Sequence, residues 1–128
     1  MGLDMYLTGE KYYRNRSDAP VLRDGFPLRT ETLDLGYWRK HPNLHGYIVQ
    51  TCAADLDECQ EIRLDGLAIE EIITAVETDS LPETTGFFFG KSDPSDKAPT
   101  LEILKAALAW LQTDEPQVIR TVIYRASW

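Results

Sequence analysis

The sequence predicts an α+β fold: a single domain in which a mainly antiparallel sheet of four to five strands carries about three helices on one face. Three observations lead there. Apolar and polar residues alternate over residues 3–8 and 32–37 and a β-branched run lies near the end of the chain, so strands neighbour one another early and late. Helical periodicities cluster between them. The 128 residues are the length of one ordinary domain, enough to bury a core without disulfide or structural metal.

Leu3, Met5 and Leu7 alternate with Asp4, Tyr6 and Thr8, the period of a half-buried strand that Tyr12 and Tyr13 extend. Residues 14–29 hold Pro20, Gly25, Pro27 and scattered charges without periodicity, and read as a long loop. Leu33, Leu35 and Tyr37 form a second strand. A first helix spans about Asn43 to Ala54, with Leu44, Tyr47, Ile48 and Cys52 at helical spacing, although Gly46 works against it. Glu61 to Leu64 is a short strand. The second helix is the best marked: Asp65 as N-cap, Leu64 and Ile69 as a staple, and Ile69, Ile72, Ile73 and Val76 as the apolar stripe. Phe87 to Phe89 reads as a short apolar strand. A third helix runs from Pro99 to Gln112 with Leu101, Leu104, Leu108 and Leu111 in line, and Val118 to Arg125 is a β-branched closing strand. Neither repeat nor linker divides the chain.

The net charge of −8, from 21 acids and 13 bases, argues against nonspecific nucleic-acid or anionic-membrane binding, which need a cationic footprint. The excess is local. Residues 51–90 hold Asp55, Asp57, Glu58, Glu61, Asp65, Glu70, Glu71, Glu77, Asp79 and Glu83 against Arg63 alone, while the flanking stretches are nearly neutral. This is either a solvated helical face with its loops or an acidic surface that meets a basic partner. No apolar stretch approaches membrane-spanning length and no leader pattern opens the chain, so a cytoplasmic location is expected. Cys52 and Cys59 have neither redox nor zinc spacing and read as reduced thiols.

Motifs with chemical content are few. Gly86-Phe-Phe-Phe-Gly90-Lys91-Ser92 has one residue too few between its glycines for a phosphate loop, and Asp93, Pro94 and Asp96 follow where a helix should start. Tyr37-Trp38-Arg39-Lys40-His41-Pro42-Asn43-Leu44-His45 is richer. Cations at a helix start oppose the helix dipole and call for an anion, supplied by a ligand or by this chain's own acids. Trp38, Arg39, Lys40 and His45 are therefore the candidate ligand-binding residues, with Tyr6 and Phe88 as further lining. His41 and His45 lie four apart, but Pro42 holds His41 outside the helix, so no metal or other cofactor is expected. Nothing in the spacing assigns a catalytic residue. Trp128 needs cover, from its own domain or from a partner.

Met-Gly-Leu-Asp-Met-Tyr-Leu at the start, Tyr37-Trp38-Arg39-Lys40 with His45 after it, Thr85-Gly-Phe-Phe-Phe-Gly90, and Ala126-Ser127-Trp128 at the end occur in an order that resembles a family of small phage and prophage proteins without an established activity. In that family the segment after the lysine usually reads Ala-Asn-x-Ile-His and continues Asn-Trp-Phe. Here it reads His41-Pro42-Asn43-Leu44-His45, then Gly46-Tyr47-Ile48: the histidine is retained and Pro42 replaces the asparagine. The resemblance implies a phage or prophage origin rather than a reaction. The resulting expectation is a non-enzymatic binding protein that contacts a host or phage protein, as monomer or homodimer, through Asp55, Asp57, Glu58, Glu61, Glu70, Glu71 and Glu77. Its rivals are a small-anion or small-ligand site at the Trp38–His45 segment, enzymatic or not, and an acidic nucleic-acid mimic that occupies a DNA-binding protein.

Overall fold

The computed structural model describes residues 2–14, 19–86 and 89–128. Strand β1 (Asp4–Tyr13) pairs antiparallel with β4 (Thr30–Arg39) on one side and β6 (Val118–Ser127) on the other, and β6 pairs with the short β5 (Ile62–Leu64). The sheet order is β4-β1-β6-β5, with the first and last strands of the chain at its centre. Between β4 and β5 lies α1 (Pro42–Cys52); α2 (Gly66–Glu77) and α3 (Lys97–Gln112) follow β5. The α+β class and the antiparallel sheet are as the sequence predicts.

All three helices cover one face of the sheet. Alternation sends Met5 and Leu7 of β1, Trp38 of β4, Val122 and Tyr124 of β6 and Ile62 and Leu64 of β5 into the core. There they meet Leu44 and Ile48 of α1, Ile69, Ile72 and Val76 of α2, and Leu104 and Ala107 of α3. Each buried Leu or Ile contributes ~1.5–3 kcal/mol relative to exposure. Tyr6, Tyr37, Ile123 and Arg125 point to the opposite, open face.

Two glycines allow close approach. A Cβ on Gly36 would lie 2.3 Å from Ile103 Cγ2, so α3 rests directly on β4 there. On Gly46, the residue that weakens α1 in the sequence, a Cβ would lie 2.0 Å from Thr84 Oγ1, so helix propensity is given up for packing of the 81–86 loop. Asp65 caps α2 as expected, its carboxylate accepting from the Ala68 amide at 2.8 Å.

The 14–29 loop differs from expectation. Within it, β2 (Leu22–Arg23) and β3 (Phe26–Pro27) form a small hairpin around Asp24 and Gly25, whose φ angles of 53° and 82° are those of a tight primed turn. Of the expected strand at Phe87 to Phe89, Phe87 and Phe88 lie outside the described residues. Phe89 is buried in irregular backbone.

Candidate functional site at the start of helix α1

β4 ends by turning into α1 at the Trp38–His45 segment. Trp38 faces inward, and its indole Nε1–H donates to Thr100 Oγ1 at 3.0 Å in the core. Arg39, one residue on, faces outward and donates to the Asp4 carboxylate at 2.9 Å; the Tyr37 hydroxyl donates to the same carboxylate. The Tyr37 bond and the Arg39 charge hold the Asp4 pKa below its ordinary value. Lys40 makes the turn itself, with φ at 56°, its amide on Leu3 O and its exposed side chain lying along Gly90. His45 is buried one helical turn inside α1. Trp38, Arg39, Lys40 and His45 therefore do not converge: strand alternation sends the first two to opposite faces, and the helix carries His45 into the core. Of the further lining residues, Tyr6 lies on the open sheet face and Phe88 outside the described residues.

His45 is 2 % exposed, and both its ring nitrogens are engaged. Nδ1 lies 2.6 Å from the Tyr124 hydroxyl, and Nε2 lies 3.0 Å from both oxygens of Asp57. A carboxylate only accepts, so Nε2 carries a hydrogen; in the neutral ring Nδ1 accepts from the phenol. Burial, with the Asp57 charge adding to it, pushes the Tyr124 pKa far above its ordinary value, so this phenol keeps its proton. Phe89 and Trp128 stand edge-on to the imidazole at centroid distances of 5.5 and 5.7 Å and contact each other at 5.6 Å. The segments around His45, Phe89 and Trp128, far apart in sequence, thus meet at one ring. With both nitrogens taken and the ring sealed, this histidine fixes the last strand to α1 rather than meeting a substrate.

His41 is placed differently. It is the N-cap residue of α1, yet its side chain does not cap, and Pro42 lacks an amide hydrogen. The first available amide, that of Asn43, donates instead to Ser92 Oγ at 3.1 Å, and Ser92 Oγ lies 2.6 Å from His41 Nδ1. Asn43 Oδ1 in turn accepts from the Thr84 amide at 3.0 Å. Burial pushes the His41 pKa below its ordinary value, with the Asp96 charge opposing in part, so the ring is neutral at pH 7. His41, Asn43 and Ser92 open onto a cleft of about 300 Å³, walled by Val76, Leu81 and Pro94 and bordered by Lys97. The Lys97 ammonium donates to Glu77 O and to the Asp79 carboxylate at 3.2 Å each. The sequence points to this helix start through Trp38, Arg39, Lys40 and His45, whereas the cleft there is lined by His41, Asn43 and Ser92. The missing signal was present: an N-cap residue unable to cap, followed by proline, leaves an amide that another segment must satisfy.

The acidic stretch separates into two populations. Asp57 serves His45, Asp65 caps α2, Glu77 pairs with Lys105 at 3.4 Å and Asp79 with Lys97. Asp55, Glu58, Glu61, Glu70 and Glu71 are exposed and make no ion pair among the described residues. Glu70 and Glu71 line a shallow groove on α2 with Tyr47 and Leu67, the leucine 65 % exposed. Glu61 lies apart from them, beside Tyr6 and Arg125.

Among the described residues no group of three or more His, Cys, Asp or Glu side chains is placed to hold a metal ion. Cys52 and Cys59 are free thiols, and no described helix is long and apolar enough to cross a membrane. Comparison of the chain with protein-family models, with curated proteins and with solved structures returns no match.

Proposed function

We propose that this protein binds another protein, and that the outer face of α2 is the contact. The observation that carries the reading is the pairing of an exposed Leu67 with Glu70 and Glu71, neither of which is answered by a cation among the described residues. An apolar centre rimmed by unpaired charge of one sign suits a basic partner surface with an apolar residue at its middle. The family resemblance makes a host or phage protein the natural partner class.

A second surface, apart from α2, supports protein binding as such. The β2–β3 hairpin presents Phe26, 73 % exposed and opposite Arg23, on a turn fixed by Asp24 and Gly25, and its Val21 and Leu22 are exposed as well. Its base is held by hydrogen bonds from the Leu28 amide to Val21 O and from the Tyr13 amide to Arg29 O, each 2.8 Å. A pre-ordered arm with an apolar tip loses little conformational entropy on binding.

The test is a capture experiment from host lysate with the intact chain and with a Glu70→Lys, Glu71→Lys variant. The expected result is a basic protein retained by the first, released by salt, and not retained by the second. Identical retention by both, or none at low salt, contradicts the assignment.

A further inference from the structure

We propose that Ser92 is a nucleophilic serine whose proton His41 accepts, and that the cleft at the start of α1 admits a small uncharged acyl donor that acylates it. The inference is independent of the protein contact on α2.

Three features act on the Ser92 hydroxyl together. The Asn43 amide donates to Oγ at 3.1 Å, and with the His41 proton on Nε2 the hydroxyl donates to Nδ1 at 2.6 Å. The oxygen sits at the N-terminus of an 11-residue helix, where the partial positive charge favours a developing alkoxide. One lone pair of Oγ remains uncommitted. The contrast with His45 is instructive. That imidazole has both nitrogens occupied inside the core, whereas His41, itself 4 % exposed, pairs with Ser92, a half-buried residue on a cleft wall.

The cleft sets the class of reactant. At about 300 Å³ it lies at the small end of ligand sites. Its Val76, Leu81 and Pro94 walls favour a short apolar group. Lys97, the cation among its described lining residues, is paired with Asp79, and the Asp93 carboxylate also borders the cleft, which disfavours an anionic reactant. A short-chain aryl or alkyl ester fits. In the step, Oγ forms a bond to the acyl carbon and the bond from that carbon to the leaving oxygen breaks. The Oγ proton passes to His41 Nδ1 and from there to the leaving alkoxide or phenolate, giving an O-acyl serine and the free alcohol.

The test uses the full-length protein with p-nitrophenyl acetate, following nitrophenolate release and locating the acetyl group by peptide mass spectrometry. The expected result is one acetyl per chain, on Ser92. Its rate should fall by about 100-fold or more in His41→Gln, the range for loss of a positioned base, and acetylation at this site should vanish in Ser92→Ala. Circular dichroism checks that each variant is folded. If His41→Gln does not fold, the pH profile of the unaltered protein decides. The rate should rise as His41 loses its proton, with a midpoint below the ordinary imidazole value. The charged groups facing that ring are Asp96, whose charge acts on it, and Asp79, Asp93 and Lys97, which border the cleft. The proposal is overturned by acetylation of His41, lysines or tyrosines with Ser92 unmodified, by an unchanged rate in folded His41→Gln, by a profile that rises only in the lysine and tyrosine range, or by no acetylation.

Discussion

Replacing Tyr124 by Phe isolates the contribution of the His45 cluster to stability. The ring is held by the sheet, opposite Leu7 of β1 and Ile62 of β5, so it stays in place when the hydroxyl is removed. What changes is His45 Nδ1, which loses its partner at 2.6 Å in a site closed to water. A buried polar atom left without a partner costs about 1–3 kcal/mol, and near 2 kcal/mol is expected here because the Nε2 bond to Asp57 survives. Urea unfolding reads this directly: with a slope of roughly 2 kcal/mol per M for a small domain, the midpoint should fall by about 1 M at constant slope. Asp57→Asn should cost less, since an amide oxygen still accepts from Nε2–H, and the two changes should be non-additive because they share one ring. A Tyr124→Phe midpoint within about 0.2 M of the unaltered protein, equivalent to less than ~0.5 kcal/mol, refutes the claim that this network fastens β6 to α1.

Other expectations follow from single contacts. His41 has a folded-state pKa below its unfolded value, so the folded form binds fewer protons; the stability linked to it is present above the unfolded value and lost as pH falls from about 6.5 downward. Unfolding midpoints between pH 7 and 5 should show this slope, and His41→Gln should flatten it. Gly36→Ala should cost about 1–3 kcal/mol through overpacking against Ile103, and Ile103→Ala should remove most of that penalty when the two are combined, as measured in a double-mutant cycle. Thr100→Val keeps the volume but leaves the Trp38 indole N–H without its acceptor, so thermal unfolding should show a loss of ~1–3 kcal/mol; an unchanged melting temperature contradicts the reading of Trp38 as a core anchor.

Much of the fold was legible because its strongest determinants are local. The alternation in β1 and the Leu64-Asp65-Ile69 start of α2 are short-range patterns, and both elements form where those patterns lie. The β2–β3 hairpin was not read from the sequence, because its Asp24-Gly25 turn sits in a stretch that otherwise lacks periodicity. The site was less accessible because its contacts are long-range. His45 meets Asp57 from the next loop and Tyr124 from the final strand, and no spacing rule joins them. Ser92 attracts notice in the sequence only as the last residue of a failed phosphate loop. It matters in the fold because an N-cap histidine and a proline leave an amide of α1 needing an acceptor. The acidic stretch divides for the same reason: composition counts carboxylates, but only the fold assigns Asp57, Asp65, Glu77 and Asp79 to internal duties and leaves Glu70 and Glu71 without an ion pair among the described residues.

The affinity of the captured partner, measured as salt is raised, tests the central proposal most directly. An acidic contact on α2 requires binding to weaken steadily with ionic strength as the charges are screened. It also requires Glu70→Lys with Glu71→Lys to abolish binding, and Leu67→Ser to weaken it at every salt concentration. Affinity that does not change with salt, or that survives the charge reversal, would place the contact elsewhere and contradict the assignment of α2 as the binding face.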